Sequence, residues 1–194
     1  MKKPHNIKKE QMFYIETAKQ KVMELFYKFP EKEFSLSDIA KEARVAKANL
    51  GVILASLDSI EFIKIEKLAK IWRVKANQEN WMFKRAKIVY NLNFIYQSGL
   101  IDFLNDSYNN PKAIILFGSF RKGEDTSKSD IDIAIESDEF KEYKTVELKQ
   151  LSDLEKAIGR AIQIHEFNRK HVDINVFNNI ANGIILYGFL EVKI

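Results

Sequence analysis

From Met12 to Phe29 apolar residues recur at helical spacing, at Ile15, Ala18, Val22, Leu25, Phe26 and Phe29, and Pro30 closes the segment. A short stretch around Phe34 leads to Ser37, the expected N-cap of a helix over Asp38 to Ala43. Arg44-Val45-Ala46 then connects to a helix over Lys47 to Leu57, with Leu50, Ile53, Leu54 and Leu57 on one face. Two alternating runs follow, Glu61 to Glu66 and Ile71 to Lys75, and a turn near Lys67 to Lys70 makes them a hairpin. A long helix is expected over Glu79 to Gln97, broken near Ser98-Gly99, with a short helix to about Asp106 and a boundary at Asn109-Asn110-Pro111.

Helix, short strand, helix, helix, hairpin is the order of a winged helix-turn-helix. The stretch SLSDIAKEARVAKANLGVILASLDSIEFIKIEKLAKIWRVKA resembles the winged-helix modules of small prokaryotic regulators, in which the helix after the turn enters the DNA major groove. The exposed side of that helix offers Lys47, Ala48, Asn49, Gly51, Val52, Ala55 and Ser56, of which only Lys47 and Asn49 are base-reading types. Lys67, Lys70, Arg73 and Lys75 on the wing suit phosphates. The candidate DNA contacts are therefore Lys47, Asn49 and Arg73, and a platform for protein docking or dimerisation is the rival reading.

Composition narrows the chemistry. The 194 residues include no cysteine, which removes disulfides, thiolate nucleophiles and Cys-ligated metal. Three scattered histidines, His5, His165 and His171, give little basis for a histidine metal centre or a Ser-His-Asp triad. No apolar run is long enough to span a bilayer, so no membrane role and a cytoplasmic location are expected. Residues 1–78 carry a net charge of +6, residues 79–110 of 0 and residues 111–194 of −2. The N-terminal part suits a polyanion, whereas the C-terminal part needs cations before it can handle phosphate.

That C-terminal part holds the most specific pattern. Ala113 to Phe117 is a continuous apolar run of buried-strand type that ends directly in Gly118-Ser119. Ten residues later comes Asp130-Ile131-Asp132, in an alternating strand over Asp130 to Ile135. Positions two apart on a strand share a face, so the two carboxylates lie side by side and repel unless a cation sits between them. A magnesium site completed by substrate phosphates and water has that donor set. Gly118 allows close backbone approach to a phosphate, and the amides and hydroxyl at Ser119 can cradle its oxygens.

The segment GSFRKGEDTSKSDID resembles the Gly-Ser, ten residues, Asp-x-Asp pattern of the nucleotidyltransferase superfamily related to DNA polymerase beta. The whole chain is most similar to archaeal minimal nucleotidyltransferases (MNT-type) with an N-terminal winged helix. The resemblance implies an α/β (α+β) architecture: a winged helix-turn-helix domain over 1–78, connecting helices over 79–110, and over 111–194 a nucleotidyltransferase domain whose small mixed sheet is flanked by helices. It implies transfer of a nucleoside monophosphate from a nucleoside triphosphate, ATP foremost, with Mg2+ or Mn2+. Asp130 and Asp132 become the catalytic and metal-binding positions, and Gly118, Ser119, Lys122 and Ser129 the nucleotide-binding ones. Some minimal relatives are antitoxins that add AMP to a HEPN-type toxin, so a protein acceptor, DNA and a second copy of the chain stay open as partners.

Two departures from the family pattern stand out. Arg121-Lys122-Gly123 replaces a small residue followed by Arg, which keeps a basic charge at Lys122 and leaves Arg121 to crowd the pocket. The third carboxylate, expected on the strand after a helix over Thr145 to Ile158, falls at Gln163 in GRAIQIHEF. Asp173 is the alternative, although Ile174, Phe177, Ala181, Ile184 and Ile185 have helical spacing that makes Asp173 the cap of a final helix. His165 faces the same side as Gln163, and its ordinary reading is a partly exposed strand histidine. The binding-class rival to an enzyme is a winged-helix regulator whose second domain only senses nucleotide.

Overall fold

The computed structural model of the chain describes residues 17–68 and 71–192. His5, the Met12 to Glu16 part of the first expected helix, and Lys70 with the end of the expected hairpin turn lie outside those residues. The elements run α1 (Ala18–Lys28), α2 (Leu36–Glu42), α3 (Lys47–Asp58), β1 (Ile63–Leu68), β2 (Ile71–Ala76), α4 (Trp81–Gln97) and α5 (Leu100–Ser107). They continue with β3 (Ala113–Phe117), α6 (Gly118–Lys122), β4 (Ile131–Glu136), β5 (Lys144–Val146), α7 (Ser152–Ile158), β6 (Ile162–Phe167), α8 (Ile174–Ala181) and β7 (Ile184–Gly188). The chain divides into two compact units at Tyr90/Asn91, within α4.

In the unit ending at Tyr90, the apolar faces of three helices close over an antiparallel hairpin. Val22 and Phe26 of α1, Ile39 of α2, Leu50, Leu54 and Leu57 of α3 and Val74 of β2 are buried together. Each fully buried leucine contributes at most about 1.5–3 kcal/mol. Tyr27, Phe62 and Phe83 stack edge-on or tilted at 4.9–5.7 Å between centroids. Phe34 bridges to Val74, so the short stretch before α2 joins the hairpin as a single strand position. The cap of α2 is Ser35 rather than the expected Ser37. Ser35 has an acid three residues on, and the two form a reciprocal capping box in which the Ser35 hydroxyl accepts from Asp38 N and the Asp38 carboxylate accepts from Ser35 N. Ser37 instead accepts from Lys47 Nζ at 3.0 Å.

The second unit is a five-stranded mixed sheet in the order β5-β6-β4-β3-β7. β4 and β6 are parallel and all other pairs antiparallel. Strand alternation sends Ile131, Ile133, Ile135, Ile162 and Ile164 to one face, where Leu100, Phe103 and Leu104 of α5 and Leu154 of α7 cover them. Ala113, Ile115, Ala134 and Phe167 go to the other face, against Ile180 and Phe177 of α8. Asp132, Gln163 and His165, one position out of step with the isoleucines, therefore share the α8 face.

Two sequence expectations change here. The helix expected from Thr145 starts only at Ser152. Lys144 to Val146 form an edge strand paired with Glu166 to Ile164, followed by a 3-10 turn over Lys149–Leu151. The final helix expected to reach Ile185 stops at Ala181, and Ile184 and Ile185 belong to β7 beside β3. Gly183 makes the break, since a Cβ there would lie 2.5 Å from Ile115 Cγ2 and 2.6 Å from Leu116 O. α8 ends where the chain must press against β3.

Candidate active site

The C-terminal end of β3 and the N-terminal end of β4 are antiparallel neighbours, and they bring the two halves of the motif together. Phe117 pairs with Asp132 across the ladder, and Asp132 pairs with Gln163 on β6. Immediately after Phe117 the chain turns at Gly118, with φ +71, into the single turn of α6. A Cβ at Gly118 would overlap Asp132 Oδ2 and lie 3.0 Å from Asp132 Cγ. Glycine is required at this point both for the backbone angle and for the seat of the carboxylate.

Asp130 stands just before β4, on the same side as Asp132. Its Oδ2 accepts a hydrogen bond from Gln163 Nε2 at 2.6 Å. Asp132 Oδ1 accepts from His165 Nε2 at 3.2 Å. Behind His165, the Tyr143 hydroxyl is 2.6 Å and the Thr145 hydroxyl 3.3 Å from Nδ1, and the Phe117 ring packs edge-on at 4.8 Å. His165 is 8% exposed, so the expectation of a partly exposed strand histidine gives way to a buried one held between Tyr143 and Asp132. Thr145 escapes a sequence reading because its segment has helical spacing, and Tyr143, just before it, carries no pattern of its own.

The ten-residue connection between Gly118-Ser119 and Asp130 is fixed from beneath. Asp125 is fully buried and pairs with Arg160 Nη1 at 2.8 Å, and it accepts from Asn91 Nδ2 at 2.9 Å. Asn91 also donates to Phe120 O at 2.8 Å, tying α6 to the same point. Arg160 Nη1 reaches Thr126 O as well. A buried, hydrogen-bonded ion pair thus sets the loop that spaces the motif's two halves. No sequence pattern flags these three residues, which lie far apart along the chain.

The other candidates are placed as follows. Ser119 is the second residue of α6 and accepts from Glu124 N through its carbonyl at 3.1 Å. Lys122, in the last turn of α6, is exposed. Ser129 spends its hydroxyl on the loop, accepting from Thr126 N at 2.9 Å. Asp173 is the N-cap of α8, and one carboxylate oxygen accepts from Asn175 N at 2.9 Å and Val176 N at 3.4 Å. Asp173→Ala is therefore expected to cost about 1 kcal/mol in thermal melts. In the unit ending at Tyr90, Asn49 is exposed on α3, and Arg73 and Lys75 of β2 lie 4.0 Å and 3.6 Å from Glu33.

Among the described residues no three His, Asp or Glu side chains are grouped so as to hold a metal ion by themselves. Two adjacent carboxylates, half-exposed beside a bare glycine, do fit a divalent ion that takes one or two carboxylates and fills its remaining positions with water and phosphate.

Residues 99–189 match the family described as Polymerase beta, Nucleotidyltransferase. The match runs from the start of α5 to the end of β7 and contains every residue of the site described above except Asn91. By sequence, this segment is similar to that nucleotidyltransferase family. A curated protein of Methanocaldococcus jannaschii named "Putative protein adenylyltransferase MJ1379" is 42% identical over 66 residues, which are 31% of this chain and 61% of that relative. The alignment thus spans about three fifths of the relative's length. A solved structure described as "Structure of Disulfide formed AbfR" overlaps 51% of this chain and 73% of its own at 12% identity, with a TM-score of 0.33, too low to support any likeness of fold.

Proposed function

We propose that this protein is a nucleotidyltransferase that moves a nucleoside monophosphate, AMP foremost, from a nucleoside triphosphate to a hydroxyl on a protein acceptor. The observation that carries the reading is the seating of Asp132 against Gly118 with Asp130 alongside, which joins a phosphate-approach turn to a pair of hard oxygen ligands. The name of the Methanocaldococcus relative supports a protein acceptor and an adenylyl donor.

Asp130 and Asp132 would hold Mg2+ or Mn2+, which when bound neutralises the charge of the triphosphate and of the in-line transition state. Gly118 leaves room for the phosphates to approach the backbone, the Ser119 hydroxyl and neighbouring amides orient them, and Lys122 pairs with the departing pyrophosphate. The acceptor oxygen bonds to the α-phosphorus as the bridge to the β-phosphate breaks. The acceptor's proton leaves to a base outside Gln163, whose amide cannot take it. Transfer should be correspondingly slow, because positioned general-base help is worth about 100- to 10,000-fold.

The N-terminal unit supports a second, separate reading as a winged helix that touches DNA. Three helices followed by an antiparallel hairpin match that order, and the unit's sequence is basic. The exposed face of α3, however, is Ala48, Asn49, Gly51, Val52 and Ala55, and the Lys47 ammonium is engaged by Ser37. Binding should follow phosphate charge: steep in salt and nearly indifferent to sequence. A footprint at one operator that survives moderate salt would contradict it, as would no binding at low salt.

Incubation with labelled ATP, CTP, GTP or UTP, magnesium and a cell lysate tests the main reading. Label should enter a protein band from ATP foremost and vanish with Asp130→Asn. No labelled acceptor with any of the four would argue against transfer.

A further inference from the structure

Asp130 and Asp132 present four carboxylate oxygens, and two of them already accept a hydrogen bond from within the chain. Gln163 Nε2 holds Asp130 Oδ2 at 2.6 Å and His165 Nε2 holds Asp132 Oδ1 at 3.2 Å. Both directions follow from chemistry, since an ionised carboxylate only accepts: the amide must present its NH2 group, and the imidazole must carry its proton on Nε2 whatever the charge of the ring. Tyr143 and Thr145 complete the arrangement on Nδ1, which fixes the plane of the ring. Among the described residues no hydrogen bond reaches Asp132 Oδ2 or Asp130 Oδ1, which leaves one oxygen of each acid with both lone pairs for a cation, and Asp132 Oδ2 is turned to Gly118.

We infer that Gln163 and His165 are positioning residues that restrict this centre to a single divalent cation, bound together with the triphosphate. The inference rests on the nucleotidyltransferase reading and sharpens it. Two cations about 3.5–4 Å apart need carboxylate oxygens that bridge or multiply the shared ligands. Here register puts a neutral amide directly beside Asp132, where a carboxylate would supply the extra charge. Two acids with one oxygen each suffice for a cation that takes its other ligands from phosphate and water, and they leave a second cation without protein charge. The centre then binds and orients a nucleotide but lacks the ion that would activate the attacking oxygen, so slow transfer is expected.

Mn2+ and α,β-methylene-ATP are the probes, with bound ions counted by native mass spectrometry and their coupling read by electron paramagnetic resonance. The wild-type chain should carry one Mn2+ per bound nucleotide, with an uncoupled spectrum. Gln163→Asp should carry two, spin-coupled, and Gln163→Glu should do so if the aspartate variant fails to fold. Two coupled ions in the wild type would overturn the inference and leave the nucleotidyltransferase reading standing. So would a folded Gln163→Asp or Gln163→Glu protein that still holds one ion, because something other than the amide would then set the number. Failure of the nucleotide to bind at any Mn2+ concentration would overturn both.

Discussion

Arg160→Met should lower stability by about 3–5 kcal/mol, the cost of leaving one member of a buried ion pair without its partner. Asp125 is fully buried and Arg160 Nη1 is its charged neighbour at 2.8 Å. The methionine fills the aliphatic volume but strands the carboxylate among Asn91, Phe120 and the loop backbone. Denaturant unfolding should show the midpoint fall. Asp125→Asn combined with Arg160→Met should recover part of the loss, since a neutral amide in the same place is far cheaper to bury. A single mutant within about 0.5 kcal/mol of wild type would mean that the pair does not organise the loop. Because this loop spaces Gly118 from Asp130, the nucleotide affinity of any folded fraction should drop as well.

Gly118→Ala is expected to weaken nucleotide binding at least about 100-fold, and to cost roughly 1–3 kcal/mol of stability from the left-handed angle alone. The added methyl would meet Asp132 Cγ at 3.0 Å and Cβ at 3.2 Å as well as the carboxylate oxygen. Rotating the carboxylate therefore does not clear the clash, and it would break the bond from His165. Calorimetric titration with magnesium and ATP measures the loss. Retention of wild-type affinity in a folded Gly118→Ala protein would show that the Gly118–Asp132 seat is not where phosphate approaches.

What the sequence reveals of this site and what it hides follow from range. Gly118, Asp130 and Asp132 are legible because each belongs to a local strand pattern that ends or alternates in a way buried strands do. The register that sets Gln163 beside Asp132 was legible only as a strand following a helix, yet it places the amide directly on the acid pair. Tyr143 and Thr145 escaped for a different reason. β5 is three residues long and begins just after Tyr143, too short for alternation to show, while Leu148, Leu151, Leu154 and Ile158 mimic one helical stripe. The Ala181 to Ile185 segment misleads in the same way, and only the closeness of Gly183 to Ile115 explains the stop. Asp125 and Arg160 have no local signature at all, since their meaning lies in a contact 35 positions apart.

If Asp130 and Asp132 make the cation-dependent nucleotide seat, a calorimetric titration with ATP reports it. ATP is added to the wild-type chain and to the Asp130→Asn plus Asp132→Asn chain by calorimetry, each with and without magnesium, with thermal melts to confirm folding. The wild type should bind only with magnesium, and the folded double variant should show no magnesium-dependent binding. Equal affinity in the two proteins would show that the acid pair is not the nucleotide seat.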